Sequence, residues 1–571
     1  MMRARGAPAA AGPLPPLLLA AAALAVALPV GLAQGSESAN VNAIAGEDLE
    51  PSAVVWTPRA PLPAPLSDFS ATRVRARSAS PYSTTAADAG SGGDYLIAIV
   101  GGCDGDQSLV CEDEDAHAGC FFVCPHATDA VALYHPAMDK YFVSESETAP
   151  GSGTNDTAMS GAEGENGSSD DGTAVGASAG TVARAPVARL RHAAAAVLGG
   201  ELLVVAGGRT ADTDELITAI DVFNASSGTW AEPSPITNWT GATSDLGMFA
   251  LDDWPAPGAA TAVALAGYDA GYEALPDAQE FVLAPASDLS SVLPPGTEVL
   301  STSEPFTVGG AGAPALALAW VRMPAQADGV PDLPDAGRGD ITVAQAPPVE
   351  EGVQAMAVAI GGYVAGDFCS PVATVDAFVP FPTVAAATSS AGVWVSLPPL
   401  THPRADAAAG WADGRLFVAG GEGTRECAEF SLATDHVEEW TPPVDSLLNA
   451  SNASLAAWRD AGDFPDERFR FAGASTESAL FLFGGQAKFD EASGTYPLTE
   501  DVVEFQEGCP SLPGSGDVNG DSQVDLTDLQ EAAKHVASAL IPKCVLFAAD
   551  LDANGVLDAA DLAMLQIIVQ E

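Results

Sequence analysis

Six short apolar runs recur along the chain, each closed by glycine: YLIAIVGG ending at Gly102, ELLVVAGG at Gly208, TAVALAGY with Gly267, AMAVAIGG at Gly362, RLFVAGG at Gly421 and ALFLFGG at Gly485. Continuous apolar runs of this length, stopped by glycine, read as buried strands. Several are preceded by a strand of small residues, as in RLRHAAAAVLGG, PRADAAAGWADG and FRFAGASTESA. Most are followed by an alternating strand and then an aromatic: AIDVFNASSGTW to Trp230, ATVDAFVP and then GVWVSLPPL with Trp394, and CAEFSLATDHVEEW to Trp440. Four strands per unit, six times over, follow from the pattern.

The ends of this series are complementary. The sixth unit stops after EDVVEFQEG without an outer aromatic strand, and AVVWTPRAPLP with Trp56 stands alone near the N-terminus. We expect that strand to complete the last unit and close a ring, which removes open sheet edges. Two polar stretches interrupt the series. Residues 147–182, rich in glycine, serine and acids, and residues 323–350, rich in proline and aspartate, are expected to be disordered insertions. The segment 306–320 is compatible with part of a seventh blade, but reads better as the first strand of the fourth.

The step from Gly362 to Gly421 is 59 residues and the next, to Gly485, is 64. With loops added, this spacing and the double glycine before a downstream aromatic resemble the kelch repeat of β-propellers over residues 50–508. The resemblance implies twisted four-stranded antiparallel blades around a channel. Glycines would let the strands pack closely there, and the aromatics would fill the space between blades.

A different periodicity begins at residue 514. GDVNGDSQVDLTD places oxygen side chains at Asp517, Asn519, Asp521, Asp525 and Asp528, which are loop positions 1, 3, 5, 9 and 12, with the carbonyl of Gln523 at position 7. This is the oxygen cage that calcium, a hard cation, requires. Ser522 stands where glycine is usual. The pattern recurs in DLDANGVLDAAD with Asp550, Asp552, Asn554, Asp558 and Asp561, the carbonyl of Val556 and the expected Gly555. Each loop runs into a helical pattern, LTDLQEAAKHVASAL and AADLAMLQIIV, whose apolar spacing lets two helices pack together. The duplicated loop-helix resembles the dockerin module over residues 509–571. That resemblance implies two calcium ions needed for folding and a cohesin-like scaffold partner, read largely at loop positions 10 and 11, here Leu526 with Thr527 and Ala559 with Ala560. The fold class expected is therefore mainly β: a six-bladed kelch-type propeller with a small all-α calcium-binding dockerin-like domain at its C-terminus.

Residues 1–33 carry Arg3 and Arg5, an apolar stretch and small residues at Gly31 and Ala33, the layout of a signal peptide. No later run is long enough to span a bilayer. The eight cysteines fall as Cys103, Cys111, Cys120 and Cys124, then Cys369 with Cys427, then Cys509 with Cys544. In an exported chain disulfides are the default, with zinc at the first cluster, beside His117 and His126, the weaker alternative. Six N-x-S/T sequons, at Asn155, Asn166, Asn224, Asn238, Asn449 and Asn452, point to glycosylation on surface loops. A formal net charge of −54 repels nucleic acid and anionic membranes.

The function expected is a secreted, extracellular or cell-surface adaptor. Its propeller would bind a glycan or protein ligand, and its calcium-folded tail would attach it to the scaffold. The alternative is an extracellular carbohydrate-active enzyme carried by a dockerin, either a propeller oxidase or a polysaccharide-degrading subunit. A copper radical oxidase would need two tyrosines, two histidines and a cysteine to converge, and the seven histidines are scattered. No catalytic residue is assigned, and a non-enzymatic role is favoured. His192 and His402, each before a small-residue strand, are expected to occupy equivalent points of two blades and to be structural rather than ligands.

Overall fold

A computed structural model describes residues 54–77, 80–82, 94–111, 120–144, 182–308, 313–323, 329–335, 337–347, 355–364, 369–381, 391–423, 433–442, 455–476 and 479–507, and, toward the C-terminus, 515–516, 518, 524–535, 548–551 and 557–570. The signal-peptide segment, the insertion at 147–181 and the sequons at Asn155, Asn166, Asn449 and Asn452 lie outside these residues.

Six antiparallel blades form a β-propeller. Their inner strands are Ser70–Ala76, Ala193–Val197, Gly247–Asp252, Thr342–Gln345, Ala408–Ala412 and Ala472–Ser475. The six glycine-terminated runs are the second strand of each blade. The ring closes as expected. Val54–Arg59 pairs antiparallel with Val502–Glu507, from Val54 opposite Glu507 to Arg59 opposite Val502. Trp56 then packs edge-on against Phe464 and Phe505, so the aromatic missing from the last unit is supplied by the N-terminal strand.

Two expectations are corrected. Leu316–Arg322 is neither a seventh blade nor the start of the fourth: it pairs with Ala278–Pro285 and Glu298–Thr302 as the outer part of a five-stranded third blade. Its first six residues are apolar and buried. Nor is 323–350 wholly an insertion, because it contains the inner strand of the fourth blade, and Arg338 within it is fully buried. Its polar composition concealed a side chain that is paired rather than solvated.

The double glycine is explained by contacts between blades. The N–H of the second glycine donates to a carbonyl of the next blade, four residues before its inner strand: Gly102 to Arg189, Gly208 to Thr243, Gly267 to Arg338, Gly362 to Arg404, Gly421 to Arg468 and Gly485 to Leu66, at 2.7–3.0 Å. The first glycine is held at positive φ, and a Cβ there would stand 2.1 Å from the Arg404 carbonyl at Gly361 and 2.4 Å from that of Thr243 at Gly207. Only a residue without a side chain fits comfortably. In the third blade Ala266 takes this place at φ +62°.

The same carbonyls belong to a buried arginine in four blades. Arg189, Arg338, Arg404 and Arg468 each donate to the first-glycine carbonyl of their own blade and to a carbonyl just before or within the third strand. Each also pairs with an acid there: Asp221, Asp376, Glu438 and Asp501. Leu66 and Thr243 replace it in the first and third blades. This arginine joins the inner strand's approach to the far side of its own sheet.

In the C-terminal segment, helices Leu526–His535 and Ala559–Gln570 start where the apolar pattern places them. Val518, Ala532, Ala548, Ala549, Leu557 and Leu565 form their shared core. Gly516 donates to the Ala548 carbonyl at 2.9 Å, tying the start of the first loop to the approach of the second.

Candidate calcium loops and propeller mouth

The two loop ends in the tail are built alike. Asp528, at position 12 and in the first turn of its helix, is buried; one carboxylate oxygen accepts the N–H of Val518 at 2.6 Å and the other that of Asp525 at 2.8 Å. Asp561 repeats this with the N–H groups of Leu551 and Asp558, both at 2.9 Å. Asp525 and Asp558, at position 9, accept the N–H two residues on, at 2.7 and 2.6 Å. Each position-12 carboxylate thus holds the second and ninth residues of its loop, which draws the loop into a closed turn.

Hard oxygen donors, a buried acid and the matched turn together fit a calcium loop. Of the expected ligands, Asp525, Asp528, Asp550, Asp558 and Asp561 are among the described residues. Asp517, Asn519, Asp521, Gln523, Asp552, Asn554 and Val556 lie outside the described residues. Leu526, Thr527, Ala559 and Ala560 are all exposed, and Leu526, Ile567 and Ile568 are large apolar side chains facing solvent.

A second constellation, which sequence reasoning missed, lies at one mouth of the channel. Two residues before each inner strand stand Asp68, Arg191, Asp245, Asp340, Asp406 and Arg470, all at φ between +49° and +55°. Each backbone N–H donates to the carbonyl of its counterpart in the preceding blade, at 2.8–3.1 Å, and the last link, from Asp68 to Arg470, closes a ring of six hydrogen bonds. The side chains are buried. Arg470 pairs with Asp68 and Asp406 at 3.2 Å, and Arg191 Nε lies 3.8 Å from Asp68 and 3.7 Å from Asp245. Tyr268 donates to Asp340 at 2.9 Å. Burial raises the Asp340 carboxyl well above its ordinary range, with Asp406 and Asp245 adding to the effect. Burial also pushes Asp406 up to about 8, the guanidinium of Arg470 opposing it.

The loop of the first blade covers part of this ring. Strands Ser108–Cys111 and Cys120–Val123 pair with Cys111 opposite Cys120. The Phe122 carbonyl accepts from Arg191 at 2.9 Å, and its ring lies 4.4 Å from the Arg470 guanidinium carbon. Cys103 and Cys124 form a disulfide at the base of the loop, which removes the zinc alternative for these two sulfurs. Cys369 is also disulfide-bonded; its expected partner Cys427 lies outside the described residues, as do Cys509 and Cys544.

The histidines are not equivalent. His192 directly precedes its inner strand, buried and hydrogen-bonded to Ser70 at 3.1 Å, and burial drives its pKa down to about 3, so it is neutral. His402 lies six residues before its strand, half-exposed, its ring stacked on His436 at 4.6 Å. The residue matching His192 there is Ala407. Tyr268 donates to Asp340 and Tyr363 to Glu422, while Cys103, which follows the double glycine of the first blade, is held in a disulfide. Among the sequons, exposed Asn238 offers an accessible amide, whereas the Asn224 carboxamide accepts the N–H groups of Ser226 and Ser227 within its turn.

Residues 515–568 match the dockerin type I domain. No curated protein matches the chain. Among the solved structures that match is one titled "Structure of YjhT", 12% identical, covering 78% of this chain and 95% of that one with a TM-score of 0.40.

Proposed function

We propose that this protein is a secreted adaptor whose tail binds two calcium ions and docks into a cohesin-type scaffold, while the propeller binds a glycan or protein ligand. The observation that carries the reading is the duplicated buried aspartate, Asp528 and Asp561, each holding its loop's second and ninth residues. It supports a pair of like calcium loops within the segment that matches the dockerin type I domain. Calcium supplies the charge that gathers each loop's acids, and binding to a site absent from the unfolded chain is itself folding free energy. The exposed positions 10 and 11 and the apolar Ile567 and Ile568 offer a partner a surface of stated chemistry. The acidic surface and sequons favour an extracellular setting.

Calorimetry of the full chain with calcium tests this. Two binding events are expected, with a gain of helical circular dichroism that a chelator reverses. Asp528→Ala and Asp561→Ala should each remove one event and weaken capture by a cohesin module by at least tenfold. No calcium uptake by the full chain would overturn the assignment.

A further inference from the structure

We infer that the channel beneath the charged ring is a blind well that takes one small neutral polyhydroxylated molecule of monosaccharide size, held by Asp245 and Arg191. The inference deepens the proposed function, because it rests on the propeller being the ligand-binding half and names the ligand class.

The geometry sets out the site. Inside the ring lies a cavity of about 170 Å³ lined by Asp245, Arg191, Ser70, Thr342, Ala194 and Met248. Asp245 and Arg191, whose side chains are only 5% exposed, each carry a buried polar atom with no hydrogen-bond partner: Asp245 Oδ2, an acceptor, and Arg191 Nε, a donor. Orphaned buried groups are costly. One hydroxyl placed between them satisfies both, donating to the carboxylate and accepting from the guanidinium. A vicinal hydroxyl continues the pattern, whereas an ether or a hydrocarbon serves neither atom.

Charge selects a neutral molecule. Each guanidinium of the ring already faces acids: Arg470 lies 3.2 Å from Asp68 and from Asp406, and Arg191 lies 3.8 Å from Asp68 and 3.7 Å from Asp245. An ionic ligand would be buried without a counter-charge, which is far more expensive than burying a hydroxyl. The walls below are apolar and small: Ala194, Val343, Ala409 and Gly473 suit the C–H faces of a ring-shaped polyol. These residues also line a second cavity of about 260 Å³ that continues along the bore to the turns of the opposite face, where Tyr95 is 41% exposed. The bore leads to that face, while Phe122 covers part of the charged end. The upper cavity far exceeds the ~10–15 Å³ that one water requires.

The test is calorimetry and ligand-observed NMR on the full chain, calcium-loaded, with glucose, galactose, mannose, xylose and myo-inositol, and with glucosamine and glucuronate as charged controls. At least one neutral probe should bind one to one and both charged analogues at least tenfold more weakly. Asp245→Asn, which loses the charged acceptor, should weaken binding about tenfold or more. Ala194→Leu, a plug in the bore that leaves the ring intact, should abolish it with an unchanged melting temperature. Three results overturn the inference: no neutral probe binds, a charged analogue binds best, or binding survives Ala194→Leu. If the plugged variant still binds polymeric glycans or a protein ligand, the adaptor reading stands and the channel site alone fails.

Discussion

Replacing Arg404 with alanine isolates what the recurrent buried arginine contributes. Arg404 donates to the Gly420 carbonyl at 3.0 Å, the His436 carbonyl at 2.7 Å and Glu438 at 3.0 Å, and neither charged side chain is more than 1% exposed. Truncation strands a buried carboxylate whose remaining protein contacts include the Thr401 N–H at 2.8 Å. Removing one partner of a buried pair costs about 3–5 kcal/mol, a large share of the ~5–15 kcal/mol that a native fold holds in reserve. Unfolding entropy of roughly 2 cal/mol/K per residue over about 450 residues makes each kcal/mol worth about 1 °C, so the melting temperature should fall by only ~3–5 °C. Urea denaturation is therefore the sharper assay. The stranded Glu438 should take up a proton in the folded state. Because an acid with a raised folded pKa loses stability as pH rises past its unfolded value, the deficit should be larger at pH 8 than at pH 5. The double variant Arg404→Met with Glu438→Leu should recover most of the loss, since a buried pair replaced by apolar groups of similar volume is often neutral. A single-variant loss below about 1 kcal/mol, or a double variant as unstable as the single, would refute the account.

Two further outcomes follow from the same contacts. Deleting residues 54–59 removes the strand that pairs along Val502–Glu507 and the Trp56 ring packed on Phe464 and Phe505; the propeller should unfold at clearly lower urea and expose that edge, and an unchanged midpoint would disprove ring closure. Burial raises the folded pKa values of Asp340 and Asp406, with nearby acids adding to the effect and Arg191 and Arg470 opposing it. Their protonation therefore favours the fold at low pH, and the contribution is lost as pH rises above about 4, for Asp406 by about pH 8. Asp340→Asn, which cannot ionise, should flatten that decline; a profile identical to wild type would show that Asp340 is ionised throughout.

What could be read from the sequence was whatever repeats in residue identity. Glycine recurs because a carbonyl of the next blade stands where a Cβ would be, and aspartate recurs in the tail because position 12 must hold two N–H groups. The four-strand unit, the closure and the duplicated loop-helix pattern were legible for that reason. The mouth was not. Its six positions read Asp, Arg, Asp, Asp, Asp and Arg, and the pairs that hold the inner strands read Leu, Arg, Thr, Arg, Arg and Arg. Neither set stands out until the blades are superimposed on their inner strands. Leu316–Arg322 was misplaced because an apolar strand carries no mark of which neighbour it pairs with, and His192 and His402 were aligned by residue type, five positions out of register.

The ring's backbone bears on why those side chains are there. Six hydrogen bonds between consecutive blades hold each residue at positive φ, a conformation that aspartate tolerates but that costs a long side chain such as arginine about 1 kcal/mol or more. Every bond in the cycle runs from N–H to carbonyl, so the fold itself would be served as well by glycine or asparagine at all six places. Arg191 and Arg470 are thus held at a conformational cost that the backbone does not require. Arg470 recovers it through two acids at 3.2 Å and the face of Phe122. Arg191 recovers less: one terminal nitrogen bonds the Phe122 carbonyl, while its Nε, between two acids at 3.7–3.8 Å, has no hydrogen-bond partner. A buried donor without a hydrogen-bond partner at a strained position, beside a carboxylate whose second oxygen is equally unpartnered, is what a site looks like when its third member is the ligand.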